Sequence, residues 1–168
     1  MNTPTSCVLA LGSNLGERAG TLESAVNELA ATDGITLLAV SPTAVTKPVG
    51  GPAGQPDFLN LVLRIETTLE PLALLSACQN VEQTHLRTRD VRWGPRTLDI
   101  DVITYGEILS EDPVLTLPHP RASIRGFVLL PWSWMEPDAQ LLGESVAALA
   151  ARAADTPDIR KFEEEAGS

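Results

Sequence analysis

Between Cys7 and Tyr105 the hydrophobic pattern reads strand, helix, strand, strand, helix, strand, an order that few folds accommodate. Cys7–Leu11 (CVLAL) is a short apolar run that meets a turn at Gly12-Ser13-Asn14. From Ala19 to Ala31 the residues Leu22, Ala25, Val26 and Leu29 keep the i, i+3, i+4, i+7 spacing of an amphipathic helix, and Asp33-Gly34 ends it. Ile35–Val45 is rich in β-branched and apolar residues and reads as a second strand, bent at Pro42. Lys47–Asp57 holds three prolines and three glycines, which makes it a loop before a third strand at Phe58–Thr67. Pro71 suits the first turn of a second helix, Pro71–His85, and Leu98–Tyr105 (LDIDVITY) alternates as a fourth strand does. The expected fold is α+β, a ferredoxin-like βαββαβ sandwich whose antiparallel sheet carries both helices on one face. Two more helical stretches, near Phe127–Trp134 and Glu144–Ala153, are expected to pack at its edges.

A chain of 168 residues suits one core. Residues 1–155 read as a single domain, and 156–168, with Glu163-Glu164-Glu165, as an acidic, flexible tail. No apolar run approaches the ~20 residues that cross a membrane, and the N-terminus has no signal-peptide pattern. Cys7 and Cys78 sit in apolar surroundings without metal-type spacing and read as buried reduced thiols, so a cytoplasmic location is expected; separately, the chain is expected to be a monomer. The net charge of −10 argues against nucleic-acid or membrane partners. Yet six of the 12 basic residues, all arginine, fall between Arg87 and Arg125. Arginine grips phosphate oxygens in pairs, so this segment points to a small polyanionic ligand.

Leu98-Asp99-Ile100-Asp101 is the sharpest local signal. Residues two apart on a strand share a face, which sets the two carboxylates about 6.5 Å apart. A divalent cation with oxygen ligands would relieve their repulsion, and magnesium takes one or two carboxylates and completes its shell with water and phosphate. Exposure to solvent or pairing with arginines in a structural network is the other reading. Arg92-Trp93-Gly94-Pro95-Arg96, just upstream, brings phosphate-gripping donors beside the acidic pair. There is no Gly-x-x-x-x-Gly-Lys-Ser/Thr loop. His119, held between Pro118 and Pro120 and followed by Arg121 and Arg125, is a candidate phosphate contact. His85 reads as a helix-end residue, Trp93 as a possible stacking surface, and Trp132 and Trp134 as packing residues.

Taken together these residues resemble the 6-hydroxymethyl-7,8-dihydropterin pyrophosphokinase family from Leu9 to about Pro137. The resemblance rests on Leu11-Gly12-Ser13-Asn14-Leu15-Gly16, Gln55-Pro56-Asp57-Phe58-Leu59-Asn60, the run Arg92–Asp101, and Pro118-His119 with Arg125-Gly126-Phe127. It implies transfer of the terminal diphosphate of ATP to the hydroxymethyl group of a dihydropterin, with two magnesium ions bridging the phosphates. By position, Asp99 and Asp101 would bind the metal, and Asp99 would also lie by the pterin. Arg87, Arg96, His119 and Arg125 would stabilise the triphosphate, with Arg89 and Arg92 assisting, Glu82 ordering the arginine loop and Thr116 near the adenosine. Thr46, Val49, Phe58, Asn60, Trp93 and Phe127 would line the pterin slot. Val114 stands where familiar members carry an arginine, and Pro120 replaces an aromatic residue. Lys47–Asp57 and Thr84–Trp93 are expected to close over the ligands and exclude water. The rival readings are a magnesium-dependent nucleotide hydrolase and a non-catalytic nucleotide-sensing module.

Overall fold

The computed structural model describes residues 3–13, 18–46, 58–88 and 98–162. In chain order its elements are β1 (Thr5–Ser13), α1 (Arg18–Ala30), β2 (Ile35–Val40), β3 (Ala44–Thr46), β4 (Phe58–Thr67), α2 (Pro71–Thr88), β5 (Leu98–Tyr105), α3 (Gly126–Met135), β6 (Gln140–Leu141), β7 (Glu144–Ser145), α4 (Val146–Arg152) and β8 (Arg160–Lys161). The main sheet runs β5-β1-β4-β3-β8, with β2 also paired to β4, and every pairing is antiparallel. This is the ferredoxin-like order: β1 lies between β5 and β4, and β2 and β3, the two halves of the expected second strand, pair with the other side of β4, with β8 added outside β3.

The central position of β1 explains its composition. Cys7, Leu9 and Leu11 face a core built with Leu22, Ala25 and Leu29 of α1 and Leu74, Cys78 and Val81 of α2. Val8 and Ala10 face a second core, with Val62, Ile103, Trp132, Val146 and Leu149. A strand buried on both faces reads as a continuous apolar run and not as an alternation. α3 and α4 therefore cover the second face of the sheet, where the sequence reading had put them at its edges.

Other boundaries shift for identifiable reasons. β1 continues through Gly12 and Ser13, which pair with Asn60 and Leu59 of β4, so the expected turn there is strand. The strand expected at Ile35–Val45 is split into β2 and β3. At the break the Ser41 hydroxyl accepts the Val62 N–H at 2.8 Å, beside Pro42, which has no N–H of its own. α2 continues to Thr88, so Thr84–Thr88 is helix and not the start of a loop, while 47–57 and 89–97 lie outside the described residues. His85 is no frayed end: it is buried inside α2 and bonds Glu28 of α1. Residues 156–162 are not a detached tail. Thr156–Asp158 forms a 3-10 turn, and β8 pairs with β3.

Both cysteines are buried and free, and burial pushes their thiols up to about 11 for Cys7 and about 12 for Cys78. Trp132 is buried, as expected of a packing residue, and Trp134 stacks under Lys161 at 4.8 Å. Among the described residues no helix is long and apolar enough to cross a membrane.

Candidate active site

Two small residues make the floor of a cleft. On β1, Ala10 lies opposite Asp101 of β5, and Gly12 lies between Asp99 of β5 and Asn60 of β4. All five point to the sheet face that α3 and α4 cover further along the strands. Where the cover stops, the missing bulk of Ala10 and Gly12 leaves a cleft of about 490 Å³.

One side is apolar. Phe58 at the start of β4, Phe127 in the first turn of α3, and Ile159 line it. Asn60, only 7% exposed, donates from Nδ2 to the Thr46 hydroxyl at 2.9 Å, which fixes its amide plane. Gly12 is required for that pose. A Cβ there would stand 2.5 Å from Asn60 Oδ1. A slot with aromatic sides and one oriented amide suits a planar, hydrogen-bonding ring.

The other end is ionic. Asp99, Asp101, His119 and Arg125 line it. Arg125 lies 5.3 Å from the centroid of the Phe127 ring and 3.9 Å from Asp101 Oδ2. That carboxylate is 39% exposed, so the approach is loose and other cations keep access to it. The loop carrying His119 is tied to β5 by the His119 N–H, which donates to the Ile103 carbonyl at 2.8 Å. His119 Nδ1 accepts the Arg121 N–H at 3.2 Å, which leaves Nε2 to carry the proton. Burial lowers the pKa of this imidazole, Asp101 opposes the shift, and Arg125 and Arg121 add to it. Burial thus favours the neutral ring, and the Nδ1 contact favours the tautomer protonated at Nε2.

Glu82 of α2 is not in the cleft. It reaches the outer edge of β5 and accepts the Ile100 N–H at 2.7 Å, between the two aspartates. Burial holds its carboxyl above the usual range; the Ile100 N–H opposes this, and Asp99 and Asp101 push it up further. The Cys78 thiol is also raised by Glu82 and Asp101. Negative potential is therefore concentrated around β5. Among the described residues no group of three or more His, Cys, Asp or Glu side chains could hold a metal. Two carboxylates on an open strand fit magnesium, which keeps several water and phosphate ligands, and do not fit a closed protein cage.

Of the residues singled out from the sequence, the structure brings together Thr46, Phe58, Asn60, Asp99, Asp101, His119, Arg125 and Phe127. Thr116 is not on the cleft; its hydroxyl donates to the Asp112 carbonyl. Val49, Arg89, Arg92, Trp93 and Arg96, and the side chain of Arg87, lie outside the described residues. Sequence reasoning missed Ala10, Leu11, Gly12, Ile159 and Asp155 as lining residues, having read Gly12 as part of a turn. The small residue at position 10, inside an otherwise bulky run, was a usable signal. Asp155 and Ile159 had none.

Residues 8–137 match the family described as 7,8-dihydro-6-hydroxymethylpterin-pyrophosphokinase (HPPK). A 2-amino-4-hydroxy-6-hydroxymethyldihydropteridine pyrophosphokinase of Pseudomonas aeruginosa is 44% identical over 133 residues, covering 79% of this chain and 82% of that protein. The enzyme of the same name from Methylorubrum extorquens is 42% identical over 148 residues, 88% of this chain and 93% of that one. The fold is shared with a crystal structure of wild-type Plasmodium falciparum HPPK-DHPS with pterin and p-hydroxybenzoate, at a TM-score of 0.70 and 13% identity. That alignment covers 96% of this chain, which spans about half of the Plasmodium chain (47%). None of these matches supports the hydrolase or nucleotide-sensing alternatives. By the extent of the sequence match and the identity of its relatives, the chain belongs to the 7,8-dihydro-6-hydroxymethylpterin-pyrophosphokinase family.

Proposed function

We propose that this cleft transfers the terminal diphosphate of ATP to the hydroxymethyl oxygen of 6-hydroxymethyl-7,8-dihydropterin, giving the pterin diphosphate and AMP in folate biosynthesis. A bond forms between that oxygen and the β-phosphorus. The bond from the β-phosphorus to the oxygen shared with the α-phosphate breaks, and the hydroxyl proton is released. The observation that carries the reading is the meeting, in one cleft, of the slot at Phe58, Asn60 and Phe127 with the ionic end at Asp99, Asp101, His119 and Arg125.

The division of labour follows from chemistry. Phe127 and Phe58 hold the ring by stacking, and Asn60 reads its edge. Asp99 and Asp101 would hold two magnesium ions, whose chemistry is to neutralise the phosphate oxygens and orient the diphosphate. Arg125 balances the charge that develops in transfer, and the His119 Nε2–H donates to a phosphate oxygen. Glu82 acts from behind, holding the strand segment that presents the two aspartates. Arg87, Arg89, Arg92 and Arg96 are assigned to the triphosphate and Thr116 to the adenosine side. Val49 and Trp93 are assigned to the pterin slot. The 47–57 segment and the arginine loop are read as closing over the ligands. We read the protein as a cytoplasmic monomer acting on these small molecules, without nucleic-acid or membrane partners, and residues 1–155 as its catalytic domain, which 156–162 completes through Ile159 and β8.

Asp99→Ala and Asp101→Ala test the reading. Each is expected to lower turnover by at least about 100-fold, because metal stabilisation of transition-state charge is worth several kcal/mol. The folded far-ultraviolet spectrum should persist. Near-wild-type turnover in either variant, or AMP formation at an equal rate without the pterin, refutes the assignment.

A further inference from the structure

The first turn of α3 carries two residues of the site, Arg125 at its N-cap and Phe127 one residue inside, yet no local side chain caps it. The cap comes from elsewhere in the chain. Asp155, beyond α4, accepts the Gly126 N–H at 2.8 Å on Oδ1 and the Phe127 N–H at 3.3 Å on Oδ2. A carboxylate at a helix N-terminus satisfies orphan donors and matches the helix dipole. The fit is mutual. A Cβ at Gly126 would stand 2.8 Å from Asp155 Oδ1 and 2.5 Å from the Thr156 hydroxyl, so the glycine between the two functional residues admits the carboxylate.

The segment around Asp155 is anchored on both sides. The Thr156 hydroxyl donates to the Ala150 carbonyl of α4 at 2.6 Å. Further on, β8 pairs with β3, and the Phe162 N–H donates to the Thr43 carbonyl at 2.7 Å. The same short stretch thus joins the Phe127 wall of the slot to the strand that bears Thr46. Asp155 and Ile159 line the cleft between them. Both lie beyond the 8–137 stretch matched by the family.

We propose that Asp155 is a positioning residue for the transfer reaction: by holding the Gly126 and Phe127 amides it sets the direction in which Arg125 and Phe127 enter the cleft. This rests on the cleft being the site of transfer. Loss of the two bonds frees the first turn of α3, and a displacement of about 1 Å at a reacting centre costs on the order of 100-fold in rate.

The test compares Asp155→Ala and Asp155→Asn with Arg64→Ala. Arg64 anchors the far end of α3 through Glu136, away from the cleft, so its loss loosens the helix without touching its first turn. Asp155→Ala is expected to lose on the order of 100-fold in kcat/KM, in both kcat and pterin KM. Amide exchange at Gly126 and Phe127 should accelerate in the unliganded protein. Asp155→Asn keeps an acceptor for the Gly126 N–H but turns an amide NH2 on the Phe127 N–H, so it should keep a smaller loss, on the order of 10-fold, which makes the test decisive even if the alanine variant does not fold. Arg64→Ala should lower the melting temperature with little change in either kinetic parameter. Unchanged kcat, KM and amide exchange in the folded Asp155 variants overturns the inference, as does an equal kinetic loss in Arg64→Ala at equal destabilisation. Asp101→Ala, run alongside, separates the two failures: if it too leaves turnover intact, the assignment of the cleft itself falls.

Discussion

Adding one methyl group to the cleft floor is the most searching perturbation the structure offers. In Gly12→Ala the new Cβ would lie 2.5 Å from Asn60 Oδ1 and 3.5 Å from its Cγ. The nearest backbone atom, the Leu59 carbonyl oxygen, is 3.9 Å away, so the strand itself has room and the whole conflict falls on one side chain. That side chain cannot yield freely. Its Nδ2 is bonded to the Thr46 hydroxyl at 2.9 Å and the residue is 7% exposed, so rotation breaks a bond in a nearly dry place. An unmade buried hydrogen bond costs about 1–3 kcal/mol. Against this, replacing glycine by alanine in extended backbone recovers about 0.4–1 kcal/mol through the unfolded chain. Folding stability should therefore fall by no more than about 2.6 kcal/mol.

Binding should suffer more plainly, since the amide that reads the ring has turned. At 1.4 kcal/mol per tenfold, loss of that interaction predicts roughly 10–100-fold weaker pterin affinity. Calorimetric titration of the pterin in the presence of magnesium and a non-transferable ATP analogue measures it. A double-mutant cycle with Asn60→Ala isolates the cause: once the amide is gone the methyl has nothing to strike, so the two losses should be strongly non-additive. Affinity within twofold of wild type in a folded Gly12→Ala protein would refute the reasoning, and so would full additivity in the cycle.

Two further outcomes concern stability. Glu82→Ala orphans the Ile100 N–H, whereas Glu82→Gln keeps an acceptor for it, so urea unfolding at neutral pH should show alanine the worse by about 1–2 kcal/mol. Because burial holds the Glu82 carboxyl above its usual range, its ionisation opposes folding as pH rises, and glutamine should cost little at neutral pH. Glu136 behaves in the opposite sense. The Arg64 hydrogen bonds hold its carboxyl below 4.5, against the effect of burial and with help from the Trp132 N–H. This stabilisation is present above about pH 4.5 and fades as pH falls through the lower folded value. The stability gap between wild type and Arg64→Ala should shrink on acidification; a constant gap between pH 3 and 7 would contradict the pairing.

How much of this was legible depends on which forces are local. The strand–helix order and the Asp99–Asp101 face follow from periodicities of two and 3.6, which any window of sequence displays. The extent of β1 was not legible, because Gly12 and Ser13 carry turn chemistry and are held extended by β4 and β5 on either side. Tertiary pairing overrode local preference. Val8 and Val62 look like ordinary strand residues, and only α3 and α4 packing on them shows that the sheet has a second covered face. Asp155 was invisible for the strongest reason: its partners are the amides of Gly126 and Phe127, and backbone donors leave no mark on the sequence.

That second cover also explains why the site lies where it does. A fully sandwiched sheet would leave no opening, and a bare sheet face would leave Asp99 and Asp101 in bulk water, where charge is cheaply screened and weakly felt. Here α3 and α4 bury Val8, Val62 and Ile103, reach the edge of Ala10, and stop short of Gly12. The uncovered end of the face is walled on one side by the start of α3 and on another by the His119 loop tied to β5. Arg125, whose side chain is 26% exposed, acts through less water than at the open surface, which strengthens its pull on phosphate. The same walls bring the Arg125 guanidinium to 5.3 Å from the centroid of the Phe127 ring. Recognition of the flat ring and stabilisation of the moving charge are thereby set by a single helix start, so any change that tilts α3 must alter both together.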